Sequence, residues 1–179
     1  MSHRIIQIIL FFSLLLLVNG CTFVTFHKVK TPKPVKSEII VSVPKDKENK
    51  TIWVRNDSFS SKDKEINTIN KKIAETFYVA AIYGKQKGYD YFALTNDNLN
   101  NLNGFPINTL DNLIELYKFE EEDAKKYYKP RQLISSRHGS ILSSSFLRLQ
   151  LQYFKKPIPG LFFYNIDEVI QQTDKYMSN

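Results

Sequence analysis

Apolar and polar side chains alternate strictly from Leu147 to Tyr153. Leu147, Leu149, Leu151 and Tyr153 fall on one side of an extended chain, and Arg148, Gln150 and Gln152 on the other. A period of two is that of a strand with one face in the core and one in water, as in antiparallel or mixed sheets. Such a face needs a covering layer. Residues 66–84 supply one, because Ile66, Ile69, Ile73, Phe77, Ala81 and Gly84 recur at steps of three and four, while Lys62, Lys64, Lys71, Lys72, Lys85 and Lys87 mostly fall elsewhere. The pattern predicts a long helix with one face in the core and the other in solvent.

Local signals punctuate these elements. Ser60 and Asp63 have the spacing of a capping box, which places the helix start there. Gly88 suits the left-handed residue that ends the helix, and Tyr89–Thr95 is apolar and aromatic enough to be the next strand. Upstream, Glu38–Val43 reads as a strand closed by Pro44 and the charged run to Lys50, and Thr51–Arg55 as a second strand before the turn-forming Asn56-Asp57-Ser58. Downstream, Pro157 and Pro159-Gly160 turn the chain into a last helix, Ile166–Met177, capped by Asn165, with Ile166, Val169, Ile170 and Thr173 toward the sheet. Between them, Leu110, Leu113, Ile114 and Tyr117 give a helical face to a segment running to about Tyr128, and Gln132–Ser145 reads as a hairpin turning at His138-Gly139. The fold class is thus α/β in the α+β sense: a small mixed or antiparallel sheet packed by a long central helix and a C-terminal helix.

The N-terminus carries a different signal. His3 and Arg4 precede an apolar run of about fourteen residues, Ile5–Val18, short of the roughly twenty a spanning helix needs. A basic start, a short apolar stretch and small residues before a break describe a removable secretory signal. The break, Val18-Asn19-Gly20-Cys21, resembles the bacterial lipobox, whose cysteine receives a diacylglycerol before cleavage, although Asn19 is an unusual choice within it. Cys21 is also the only cysteine of the 179 residues, which leaves neither a disulfide nor a cysteine metal site for the folded part. The expected organisation is a signal peptide over 1–20, a lipid-anchored flexible tether over 21–37, rich in proline and lysine, and a globular domain over 38–179 with a variable insertion at about 98–145. A chain that is 42% hydrophobic and 13% aromatic can build one core of that size.

One run of residues resembles a known family. Ala80-Ala81, six residues to Gly88, then Tyr89-Asp90-Tyr91-Phe92 running into Ala93-Leu94, in a chain that opens with a lipobox, is similar to the pattern of a family of small bacterial lipoproteins of unassigned function. The extended stretch 51–61 and the closing strand and helix, Phe146–Ile170 with Asp167-Glu168-Val169, carry the likeness over about half of the mature chain. The resemblance implies an α/β sandwich on a lipid tether and brings no activity, cofactor or catalytic residue. Residues 98–145 match nothing in that pattern.

Chemistry is sparse. The mature chain has two histidines, His27 and His138, so zinc has no histidine cluster. Ser135, Ser136, Ser140, Ser143, Ser144 and Ser145 surround His138 without the strand-to-helix setting of a nucleophile elbow. Asn96-Asp97-Asn98 with Asn100 offers too few carboxylates for calcium, and the four acids from Glu120 to Asp123 read as a solvated face. Gly84 and Gly88 stand at a helix end rather than its start, where a phosphate would bind. The net charge of +7 rests on lysine more than on the arginine fork that phosphate recognition favours, so no nucleic-acid partner is expected. The aromatics are more suggestive: core packing explains most of them, but tyrosines facing outward would form a contact patch, for which Tyr83, Tyr89 and Tyr91 are the candidates.

The reading is a lipoprotein held to its membrane through Cys21, without catalytic residue, metal or cofactor, acting as a binding or structural accessory in the cell envelope and contacting an envelope protein. The alternative is an envelope hydrolase acting on glycan or peptide with carboxylates gathered by the fold. Thr22, rather than aspartate, after the cysteine points to the periplasmic side of the outer membrane in a diderm host.

Overall fold

The computed structural model describes residues 24–45, 51–58, 66–95, 109–111, 114–115, 147–161 and 163–178. Its strands are β1 (Val24–His27), β2 (Ile39–Pro44), β3 (Ile52–Asn56), β4 (Tyr91–Leu94), β5 (Leu147–Phe154) and β6 (Tyr164–Asn165); its helices are α1 (Ile66–Gln86) and α2 (Ile166–Met177). The strands form one six-stranded sheet in the order β1-β2-β3-β5-β4-β6, and every pairing is antiparallel. Because β3 and β4 both pair with β5, they run parallel to each other with β5 between them, and α1 makes the crossover.

The alternation in β5 is realised as expected. Leu147, Leu149 and Leu151 are fully buried under the helices, with Leu149 opposite Val54 of β3 and Leu151 opposite Leu94 of β4, while Arg148, Gln150 and Gln152 turn to the other face. The helices lie against the first face only, which leaves the second without a helical cover among the described elements.

Helix α1 is more deeply buried than its lysines suggest: every residue from Ile73 to Gly84 is buried, whereas the pattern predicted a solvated second face. The sheet covers one side, α2 another, and residues 28–37 a third. That last cover corrects the expected tether. The stretch 24–37 begins as β1, in register with β2 from Val24 opposite Pro44 to His27 opposite Val41. It then lies along α1, where Tyr78 Oη accepts the Lys33 N–H at 3.2 Å, the Glu75 carboxylate accepts the Lys36 and Ser37 N–H groups, both at 3.1 Å, and Gln86 donates to the Lys30 carbonyl at 2.8 Å. Val29 and Val35 add apolar contact with the core. Proline and lysine permit an extended chain, but a carboxylate fixed on α1 and an open edge on β2 give that chain partners, and a partnered chain does not remain a tether.

Gly84 explains how closely the layers approach. A Cβ there would sit 2.6 Å from the Tyr153 ring and 2.7 Å from Ile166 Cδ1, so the helix can touch β5 and α2 only because glycine has none. Gly88 takes φ of 76°, the left-handed turn foreseen at the end of α1. Asn165 caps α2 as expected: its side chain accepts from the Asp167 and Glu168 N–H groups at 3.0 and 3.1 Å, and both acids favour the positive end of the helix dipole. Ile166, Val169 and Thr173 are buried and Ile170 partly so. The capping box at Ser60, most of the helix expected over 110–128, and the hairpin over 132–145 lie outside the described residues.

Candidate functional site

The tyrosine patch expected from the sequence is not one surface. Tyr83 is 6% exposed and packs, with Tyr89, on Tyr153, at ring-centroid distances of 5.8 and 5.7 Å. Tyr153 donates its hydroxyl to the Ala80 carbonyl at 2.9 Å, which fixes this cluster between α1 and β5. Tyr91 lies on the opposite face of the sheet, stacked on Phe154 at 6.0 Å and edge-on to Phe163 at 5.1 Å. The reason is the strand period: Phe92 of β4 turns to the core, so Tyr91 must turn away. Tyr83 and Tyr91 therefore lie on opposite faces of the sheet, with Tyr83 buried and Tyr89 and Tyr91 half-buried.

Burial raises the pKa of the Tyr83 phenol, with Tyr89 adding to the effect, and raises those of Tyr153 and Tyr164 further. These groups stay neutral in the fold at a pH where the unfolded chain, titrating near 10.0, ionises. Their contribution is complete below that value and is lost as pH rises above it, since the unfolded state then releases protons first. Denaturant midpoints measured across the alkaline range should hold to about pH 10 and fall above it, and phenolate absorbance of the buried tyrosines should appear together with unfolding. Phenolate appearing in a still-folded chain would contradict their burial.

The surface that does present aromatics lies on the open face of the sheet, at the end nearest the N-terminus. Phe26 is 71% exposed, Trp53 42% and Val24 39%. Register explains the grouping: Phe26 stands opposite Ser42, Ser42 opposite Trp53, and Val24 opposite Pro44, all pointing away from the helices. With Thr51, Arg55 and Arg148 they line a shallow cleft of about 340 Å³ with no carboxylate among its described lining residues. The Arg148 guanidinium lies 4.9 Å from the centroid of the Trp53 ring, a cation–π contact that holds the indole against the sheet. Arg55 pairs with Asp57 beside the cleft. The signal for Trp53 was present in the sequence: Ile52 and Val54 flank it in a strand, so if they turn inward the tryptophan turns outward.

A second, larger cleft of about 680 Å³ runs between residues 28–37 and β2, with His27, Lys28, Lys36, Ser37 and Glu38 among its polar lining and Val35, Ile39 and Val79 among its apolar lining. Its nearest buried acid, Glu75, is occupied with the Lys36 and Ser37 amides and the Ser37 hydroxyl. Among the other described acids, Asp111 pairs with Tyr176 and, at 3.6 Å, with Lys175, Asp167 with Lys85 and Asp174 with Lys33. No group of three or more His, Cys, Asp or Glu side chains gathers for a metal among the described residues. Cys21, His138 and the serines around it, Asn96–Asn100 and Glu120–Asp123 lie outside those residues.

Neither a family model, nor a curated protein, nor a solved structure matches this chain. The site is accordingly read from its own chemistry: an apolar, aromatic and cationic face, close along the chain to the one cysteine.

Proposed function

We propose that the chain is a bacterial lipoprotein, held to its membrane through a lipid on Cys21, and that its domain serves as a binding or structural accessory in the cell envelope. The observation that carries this reading is the place of the cysteine. It is the single cysteine of the chain, it closes Val18-Asn19-Gly20-Cys21 behind a short apolar run, and the first strand of the sheet starts only three residues later. Among the described residues no helix is long and apolar enough to cross a membrane; the attachment that the motif itself offers is a lipid on Cys21. The accessory role is supported by the exposed aromatic face of Phe26 and Trp53. Outer-membrane placement facing the periplasm follows from Thr22 if the host is diderm.

Replacing Cys21 by serine tests the anchor. The variant is expected to incorporate no labelled fatty acid, and either to leave the membrane fraction as soluble protein or to accumulate as uncleaved precursor. Lipid labelling and membrane recovery equal to the parent chain would overturn the proposal. Cross-linking of the lipidated protein in cells, followed by mass spectrometry, tests the accessory role: a dominant envelope partner is expected, and turnover of an envelope substrate by the purified mature chain would replace this reading with an enzymatic one.

A further inference from the structure

We infer that the open sheet face around Phe26 and Trp53 rests on the lipid bilayer to which Cys21 is attached, so that the domain has a membrane-facing side as well as a lipid. The inference rests on the anchoring proposed above and adds an orientation to it. Three observations point to the bilayer as the occupant of this face.

The first is reach. At no more than about 3.6 Å per residue, the Cα of Cys21 lies within about 11 Å of that of Val24. Val24 is a paired residue of β1 and itself lines the cleft. A lipidated cysteine sits at the boundary of the hydrocarbon, beneath a head-group layer roughly 5–8 Å thick. The start of β1 is thereby confined to the head groups or just above them, with no room for a long spacer between bilayer and sheet.

The second is side-chain chemistry. Phe26, Trp53 and Val24 are the large apolar groups exposed on these strands, and tryptophan, with an apolar body and one polar N–H, partitions to the membrane interface. An apolar patch that lies beside the anchor can enter the interface without moving the rest of the domain. The third is charge. Arg148 and Arg55, the latter paired with Asp57, line the cleft, Lys45 follows the end of β2 that pairs with Val24, and none of the described lining residues is acidic. Cationic side chains around an apolar centre extend toward anionic head groups while their stems stay on the apolar surface.

Trp53 is the only tryptophan of the chain, so it reports on this face alone. The experiment reconstitutes the lipidated mature protein in phosphatidylethanolamine–phosphatidylglycerol vesicles, with and without brominated acyl chains, and reads tryptophan emission. Brominated lipid is expected to lower that emission by roughly half, with a shift to shorter wavelength relative to detergent-free protein released from the vesicles, because an interfacial indole is within reach of the bromines. Phe26→Ser, at a position 71% exposed, should weaken the quenching while leaving the circular dichroism unchanged. Emission that brominated lipid does not alter, from protein that is acylated and recovered with the vesicles, would overturn the orientation and leave the anchor standing. Protein that carries no lipid and washes off the vesicles would instead remove the anchoring on which the inference rests. Unquenched Trp53 together with cross-links between β1 strands of two copies would assign this face to self-association and reject the bilayer.

Discussion

Phe77→Ala is expected to cost about 3–5 kcal/mol of folding stability, the range for emptying a fully enclosed aromatic site. Phe77 is 0% exposed and stands at the middle of α1, edge-on to Tyr164 at 5.3 Å and tilted against Phe92 at 6.1 Å. Phe92 and Tyr164 are stacked on each other at 5.2 Å across the pairing of β4 with β6, so one ring ties the helix to two strands at once. Neither neighbour can swing into the void easily, since each is held by the strand pairing that carries it. A domain of this size has about 5–15 kcal/mol in hand, and with a urea dependence of about 2 kcal/mol per molar the midpoint should fall by roughly 2 M. The comparison is Phe26→Ala, whose ring is already 71% exposed and whose loss should stay within about 0.5 kcal/mol. Equal shifts for the two variants would mean that α1 is not seated on β4 and β6 as described.

That contrast between two phenylalanines shows what the sequence makes legible. Phe77 belongs to a helical period reaching from Ile69 to Gly84, and β5 carries the period of a one-sided strand; both repeat often enough for burial to be read directly. Asn165 is legible for another reason, since a cap is a local event between one side chain and the next three residues. β1 has no such pattern. Val24, Thr25 and Phe26 are all exposed, so its place in the sheet comes from backbone bonds to β2, which any residue but proline can make. Composition therefore spoke for a tether where edge pairing decides for a strand.

The candidate site is legible in part for the same physical reason. Cys21 is marked by a linear motif and needs no fold to be noticed. The tyrosines needed one: Tyr83 and Tyr91 stand eight residues apart in the chain, yet the first lies under the helical layer and the second on the open face. Which of them reaches a partner is set by the alternation in β4 and by the depth of α1. Trp53 could have been assigned to the open face from Ile52 and Val54, but its grouping with Phe26 and Arg148 depends on the registers β1–β2–β3 and β3–β5.

Glu75→Ala should turn residues 28–37, the strap that lies along α1, back into the tether that their composition suggests. Glu75 is 2% exposed, and its two oxygens take the Lys36 N–H, the Ser37 N–H and the Ser37 hydroxyl. Alanine removes every one of these acceptors. Each backbone donor left unpaired costs about 1–3 kcal/mol where it stays buried, and rather less where the strap peels away to meet water, so the net loss should be about 2–3 kcal/mol. Peeling is the informative outcome. It would free the backbone at Lys28, Lys30 and Lys36, whose side chains are already exposed, for cleavage by trypsin and, if β1 follows, lengthen the span between Cys21 and the sheet from about 11 Å to as much as about 65 Å. Glu75→Gln retains one acceptor oxygen and the same volume, and should fall between the two in both protease resistance and midpoint. In vesicles, the alanine variant should also lose quenching of Trp53 while keeping its lipid, since a domain on a long leash no longer holds one face to the bilayer. Unchanged cleavage at the strap lysines in the folded alanine variant would show that β1 pairing alone keeps the strap in place, and that the carboxylate only decorates it.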